Sequence, residues 1–265
     1  MTALQKYEER VDEVNSLVCV GLDSDVAKIP ESFKNSEFPQ FEFNKYIVEQ
    51  THEFAAAYKL DTAFYENRGE QGIREMRLTM NYLTGAHPGI LTICDAKRGD
   101  VAHVNEQYVK AYFDSLGFDA ITLHPYMGKE SLEPFLARKE KASIILCRTS
   151  NPGAKEFQDL NRGGKPLWQD VAEKVSNEWN TNGNCMLVVG ATYPEAMKQV
   201  RDIVGDMTIL APGIGFQEGD LGATVQAGLN SQGKGLIIHS SRAIIFSADP
   251  KTETLKLREK INAWR

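Results

Sequence analysis

No stretch of this chain is apolar for anything near the ~20 residues that a bilayer-spanning helix requires, so a protein built on transmembrane helices is not expected. Runs of lysine and arginine are missing as well. With a formal net charge of −6 and no basic cluster along the sequence, nucleic acid is not an expected partner. Small phosphorylated ligands stay within reach, because they need only a local nest and one or two cations. Cysteine is sparse. Cys19, Cys94, Cys147 and Cys185 form no C-x-x-C pair, and three of them fall inside apolar runs. Reduced, buried thiols are expected. The histidines (His52, His87, His103, His124, His239) show no paired spacing such as H-E-x-x-H, so no metal centre is expected. Met1 to Asn15 is charged and amphipathic, without the apolar stretch of a signal peptide. A cytoplasmic location is the expectation. Low-complexity tracts, short-period repeats and composition breaks are also lacking. One domain over residues 1–265 is therefore expected, long enough to bury roughly 75% of its unfolded surface without staples.

What the chain does have is a rhythm. Eight short apolar, β-branched runs recur at Leu17–Leu22, Ala55–Leu60, Leu91–Asp95, Ala120–Leu123, Ser143–Cys147, Met186–Val189, Thr208–Ala211 and Gly235–His239. Continuous apolar runs mark strands buried on both faces, as in parallel sheets. Helical patterns follow them at Phe43–Phe54, Gly69–Leu83, Val104–Leu116, Leu132–Glu140, Trp168–Asn182, Pro194–Val204, Leu221–Gly228 and Thr252–Trp264. Eight β–α units in a chain close to the roughly 250 residues of an α/β barrel predict a (β/α)8 TIM barrel. A doubly wound open sheet is the alternative.

A barrel directs attention to the residues that close each strand, because the chemistry of these folds sits at the C-terminal strand ends. The first strand ends at Asp23, the second carries Lys59, and the third runs into Asp95-Ala96-Lys97-Arg98-Gly99-Asp100. Asp95 and Lys97, two apart, project to the same side. With Lys59 one strand away, ammonium and carboxylate groups alternate in a confined space, each holding its neighbour ionised. A lone D-x-K is an ordinary surface pair. D-x-K-x-x-D beside a strand lysine points to chemistry. After the fifth strand, Thr149-Ser150-Asn151-Pro152-Gly153 offers a hydroxyl and an amide on a rigid turn, suited to the edge of a flat heterocycle or simply to a turn. After the seventh and eighth come Pro212-Gly213-Ile214-Gly215-Phe216-Gln217-Glu218-Gly219-Asp220 and Ser240-Ser241-Arg242-Ala243. Barrels frequently hold phosphate between these last two loops, and Arg242 supplies a forked cationic donor. No Gly-Lys-Ser/Thr follows, so this is not a P-loop. His124 and His239 near strand ends read as structural histidines.

Together these motifs resemble the orotidine monophosphate decarboxylase family, particularly its longer prokaryotic branch. The resemblance runs from Val20-Gly21-Leu22-Asp23 to Ser241-Arg242-Ala243. Its most specific pieces are Asp95–Asp100, Thr149–Gly153, Pro212–Asp220 and Ser240–Ile244, supported by Ala63–Glu66, Pro125–Gly128 and Val189–Thr192. It implies a cofactor-free lyase that makes uridine monophosphate, with no metal. It also implies a homodimer in which Lys59, Asp95 and Lys97 work with Asp100 of the partner subunit. Asp95 would face the departing carboxylate, and Lys97 would stabilise and protonate the C6 carbanion. Asp23 would bind ribose, Ser150 and the Pro152 turn the pyrimidine, and Gln217, Ser241 and Arg242 the phosphate. Two positions depart from the pattern: Val104 stands where many members have threonine, with Asn105 as a candidate substitute, and Asp61 stands where asparagine is common. Two further readings remain open. One is a Mg-dependent sugar-phosphate decarboxylase or aldolase of the related barrels, whose second strand carries an acidic residue in place of Lys59. The other is a non-catalytic nucleotide-binding barrel.

Overall fold

Each of the eight apolar runs forms a strand, and the eight close on themselves. The computed structural model of the chain describes residues 1–213 and 221–265. Strands β1 (Val18–Gly21), β2 (Ala57–Asp61), β3 (Leu91–Arg98) and β4 (Ala120–Leu123) are followed by β5 (Ala142–Arg148), β6 (Cys185–Val189), β7 (Ile209–Pro212) and β8 (Leu236–Ser240). Every strand lies beside its sequence neighbour, all pairs run parallel, and β8 returns to β1. The closed ring excludes the open doubly wound sheet. The continuous apolar runs have the expected cause: β1, β4, β6 and β8 are buried at every position, between the barrel interior and the surrounding helices. All four cysteines are free and buried, and Cys185, just ahead of the apolar run Met186–Val189, opens β6.

The helices occupy the intervals between strands, with edges that differ in instructive ways. Those at Pro39–Thr51, Pro194–Val204 and Pro250–Asn262 each begin on proline, whose missing N–H costs nothing in a first turn. Reading apolar periodicity alone starts the first of these at Phe43 and the last at Thr252, inside the true boundary. The helix expected from Val104 starts at Ala102, and after Val109 it widens into a π-helical segment, Lys110–Ser115. The one expected over Leu132–Glu140 spans Lys129–Leu136, entered through Gly128 at φ 84°, a conformation glycine adopts without penalty. Between β5 and its helix Leu167–Lys174, the chain inserts a small antiparallel hairpin, Asn161–Arg162 with Lys165–Pro166.

A further helix, Ala3–Val14, precedes β1 and decides which end of the barrel is open. Thr2 and Gln5 cap it reciprocally: the Gln5 N–H donates to Thr2 Oγ1 at 3.3 Å, and the Thr2 N–H to Gln5 Oε1 at 2.8 Å. Its inner face is pinned to residues at or just before the starts of strands. Tyr7 donates to the Leu236 carbonyl at 2.7 Å, Arg10 Nε to that of Ala55 at 3.2 Å, and Lys6 pairs with Asp119 at 2.7 Å. The helix therefore lies against the N-terminal ends of the strands and leaves the C-terminal ends to the site. Between the two ends, Leu236, Ile237 and Ile238 are wholly buried. Truncating one such side chain costs about 2–5 kcal/mol, a reserve against which the polar strand ends described next must be assembled.

Candidate active site

The strand register brings the predicted charges together. Gly21 of β1 pairs with Lys59 of β2, and Asp61 of β2 with Asp95 of β3. Lys59 Nζ lies 2.7 Å from Asp95 Oδ2 and 3.7 Å from Asp23 Oδ1. Lys97 Nζ lies 2.7 Å from Asp95 Oδ1 and 3.8 Å from Asp61 Oδ2. Asp95 thus sits between two ammonium groups, one on each oxygen. Their depths differ. The Lys59 side chain is 3% exposed and Lys97 49%, so Lys59 forms the back of the array and Lys97 its mouth.

Burial alone would raise the pKa of Asp95. Lys59 and Lys97 outweigh it and hold the carboxyl well below the usual carboxylate range. Burial likewise opposes the charge on Lys59, but Asp23 and Asp95 overcome it and raise its pKa. Asp61 behaves differently: burial pushes its carboxyl upward, and the repulsion of Asp95 and Asp23 offsets the pull of the two lysines. Its backbone N–H donates to Asp23 Oδ1 at 3.2 Å, and its Oδ1 accepts the Ala63 N–H at 3.2 Å. Asp61 therefore joins the array as a further carboxyl.

Lys97 has a φ of +47°, a left-handed conformation that costs a non-glycine residue roughly 1–2 kcal/mol. Thr122 of β4 supports it: the Lys97 N–H donates to Thr122 Oγ1 at 3.0 Å, and that hydroxyl donates to Asp95 Oδ1 at 2.8 Å. Sequence reasoning missed Thr122. Its only signal is a hydroxyl inside the otherwise apolar run Ala120–Leu123.

Asp100 is not drawn into the array of its own chain. Among the described residues no ion pair links it to Lys59 or Lys97, and its Oδ1 accepts the N–H of Val101 at 2.7 Å. Asn105 holds the backbone here. Fully buried, it accepts the Asp100 N–H at 3.1 Å and donates to the carbonyls of Asp100 at 2.7 Å and Ser131 at 2.6 Å. Within its own chain both Asn105 amide protons and its oxygen are thus engaged in holding this backbone.

The ends of β1, β7 and β8 enclose a cavity of about 130 Å3, lined by Asp23, Gly213, His239, Ser241 and Arg242 among others. Arg242 is exposed and opens the short helix Arg242–Ile245, and Ser241 Oγ donates to the Gly21 carbonyl at 3.2 Å. Gly21 has to be glycine for this approach: a methyl there would lie 2.4 Å from His239 Nε2 and 2.6 Å from Ser241 Cβ. Gln217 lies outside the described residues. At the end of β5, the turn carrying Ser150 and Pro152 is tied down by groups that the motif alone does not reveal. Buried Arg148 forks onto Asp159 (Nε–Oδ1 2.9 Å, Nη2–Oδ2 3.0 Å), lies over the Tyr193 ring at 4.2 Å, and donates to the Thr149 carbonyl. Ser150 packs on the bare backbone of Gly190, where an added methyl would meet its Cβ at 2.7 Å.

His239 is buried against the array, its Nε2 lying 3.9 Å from Asp23 Oδ2 with no hydrogen-bond partner among the described residues, and this burial is expected to make the fold acid-sensitive. Burial first, and then Lys59, lower its pKa to about 3, so the folded imidazole is neutral. An unfolded histidine takes up its proton near pH 6.5. This contribution to stability is complete above that pH and is lost as pH falls toward 3, by on the order of 4 kcal/mol over the full interval. Thermal melts between pH 7.5 and 4.5 are expected to show the loss, and His239→Asn to flatten it. Identical slopes in the two proteins would rule His239 out as its source.

Among the described residues, no group of three or more His, Cys, Asp or Glu side chains is arranged to hold a metal ion, and no helix is long and apolar enough to cross a membrane. Residues 16–257 match the family model described as orotidine 5'-phosphate decarboxylase / HUMPS family. The chain is 41% identical over 274 residues to the orotidine 5'-phosphate decarboxylase of Cellvibrio japonicus, covering all of both proteins. It is 45% identical over 273 residues to that of Cupriavidus taiwanensis, covering 100% of this chain and 99% of the relative. Among solved structures, it is similar to Leishmania donovani OMP decarboxylase, with a TM-score of 0.89 and 38% identity over 100% of this chain and 98% of that one. It also matches Leishmania donovani UMP synthase, with a TM-score of 0.92 and 40% identity over 100% of this chain and 56% of that one.

Proposed function

The chain belongs to the orotidine 5'-phosphate decarboxylase family, and from that premise we propose how its strand-end charges carry out the family's reaction. That reaction is the conversion of orotidine 5'-monophosphate to uridine 5'-monophosphate (UMP) and carbon dioxide, a step of pyrimidine biosynthesis. The observation that carries the proposal is the Lys59–Asp95–Lys97 array, two 2.7 Å contacts that keep a largely buried carboxylate ionised.

Breaking the bond from C6 to the carboxylate leaves the electron pair on C6, where the ring offers little resonance help. The largest enzymatic effects supply on the order of 20 kcal/mol, and fixed charge aimed at the developing charge is usually the greatest part. In our reading the substrate carboxylate lies against Asp95, whose negative charge the two lysines keep in place. As carbon dioxide departs, the Lys97 ammonium faces the carbanion and then gives it a proton, which solvent restores. Lys59 holds Asp95 and reaches the ribose, Asp23 binds a ribose hydroxyl, and Ser150 with the Pro152 turn reads the pyrimidine edge. Arg242, with Ser241 and Gln217, takes the phosphate. No cofactor enters any step.

We assign the remaining carboxylate of the tetrad to Asp100 of the partner subunit in a homodimer. Support comes from the chain's own Asp100, whose backbone is anchored while its carboxylate stays outside the local array. Support also comes from exposed apolar groups on the loops that follow β3 and β4: Val101 at 40%, Tyr126 at 89% and Met127 at 44%. A cytoplasmic setting, where thiols stay reduced, suits the four free cysteines. The sugar-phosphate reading is disfavoured by Lys59, which stands where those barrels carry an acidic residue.

The test is a spectrophotometric assay of the purified protein with orotidine monophosphate and excess chelator. Conversion to UMP supports the reading. Folded protein that turns over only a sugar phosphate, and only with Mg2+, would reject it.

A further inference from the structure

A single hydroxyl on β4 fixes the spacing between the two groups that carry the chemistry. The β3–β4 ladder pairs Ile93 with Ala120 and Cys94 with Ile121, then shifts so that Arg98 pairs with Leu123. Within that interval, β3 supplies Asp95, Ala96 and Lys97, while β4 supplies only Thr122. The register shift marks a bulge there, and a bulge re-aims side chains at the cost of ladder hydrogen bonds. Thr122 occupies the gap. Its side chain lies inside the protein, with the residue 1% exposed, and it uses both capacities of its hydroxyl. The oxygen accepts the Lys97 N–H at 3.0 Å, and the proton goes to Asp95 Oδ1 at 2.8 Å. This direction is dictated by chemistry, because an ionised carboxylate can only accept and a backbone amide can only donate.

We propose that Thr122 is a positioning residue for decarboxylation, locking the Lys97 backbone and the Asp95 carboxylate into one unit. It does so by standing in for the missing ladder bonds at the bulge. The same Oδ1 that accepts from Thr122 also meets Lys97 Nζ at 2.7 Å, so backbone, hydroxyl, carboxylate and ammonium form a closed loop. Without the hydroxyl, the left-handed turn at Lys97 loses its anchor, and Asp95 is free to rotate between two lysines. Thr122 touches no reacting atom in this scheme. Its effect is exerted through Asp95 and Lys97.

The inference rests on the catalytic roles given above, and Thr122→Val and Thr122→Ser test it. Valine keeps the shape and the methyl group but removes the hydroxyl, whereas serine keeps the hydroxyl. Losing a hydrogen bond to a charged group corresponds to roughly 10- to 100-fold in rate, so Thr122→Val is expected to lower kcat by that factor. KM and the affinity for UMP should change less than about threefold, because the phosphate anchor on β8 is untouched. Thr122→Ser should recover kcat to within about fivefold of the starting enzyme. Should Thr122→Val fail to fold, Thr122→Ala, which adds no bulk, carries the same comparison with Thr122→Ser. A purely structural threonine would lower the melting temperature without separating kcat from KM. Equal kcat values for the valine (or alanine) and serine variants, or a hydroxyl-free variant as fast as the parent, would overturn the proposal. Absence of orotidine monophosphate turnover in the unmodified chain would instead reject the underlying reading.

Discussion

Replacing Lys97 with alanine is expected to lower turnover by about 10,000-fold or more, while UMP binding changes by less than about tenfold. The size follows from two losses at once. In the proposed mechanism the Lys97 ammonium faces the C6 carbanion and contributes electrostatic stabilisation of the kind that costs about 100- to 1,000-fold when a donor is removed. As the proposed proton source, it would contribute a further ~100-fold or more. Asp95 suffers too, because one of the two cations that overcome its burial disappears. Binding is expected to be spared because the proposed phosphate site lies at the other edge of the mouth, between the ends of β1, β7 and β8. Lys97→Met, which keeps the aliphatic stem, should behave like the alanine variant. Steady-state and single-turnover rates, paired with UMP titration calorimetry, make the comparison. A purified Lys97→Ala enzyme within about tenfold of the parent would remove Lys97 from the chemistry.

The second large effect is a recovery. Lys97→Ala and Asp100→Ala are each expected to be nearly inactive, yet a mixture of the two should regain activity on subunit exchange. In a heterodimer, one site combines the intact Lys97 of the Asp100→Ala chain with the intact Asp100 of its neighbour, and the other site carries both lesions. Random exchange in equal proportions makes half the dimers mixed, so roughly a quarter of all sites should be restored if the interface is isologous. Mass spectrometry of differently tagged chains would verify the exchange. Verified heterodimers without recovered turnover would contradict a shared site, and would leave Asp100 acting through its own backbone network with Asn105 and Ser131.

Much of this architecture is legible from residue order because parallel strands buried on both faces leave no polar alternation to confuse the reading. All eight runs became strands, and Lys59, Asp95 and Lys97 met because register places β2 beside β3. Helix edges were harder. Pro39 and Pro250 start helices through a backbone property, the dispensable first N–H, which apolar periodicity does not register. The Ala3–Val14 helix was visible as an amphipathic segment, but its docking across the strand starts is a tertiary fact. Within the site, Thr122 escaped notice because one threonine in a strand looks like β-propensity. Its importance arises from a bulge on the neighbouring strand. Arg148 and Asp159 were overlooked for a similar reason: eleven positions separate them, and only the fold of the loop after β5 makes them a fork. Asp61 was noticed as a departure, yet its raised pKa depends on burial and on Asp95 and Asp23 nearby.

A crystal structure of the protein with UMP bound would examine these assignments, the proposed dimer included, at atomic level. Lys97 Nζ should lie about 3–3.5 Å from C6, within the range of a reacting pair. The phosphate should rest against Arg242 and Ser241, and Asp100 of the partner subunit should reach the ribose. A pyrimidine ring seated away from Lys97, or a site completed without the partner, would contradict the mechanism.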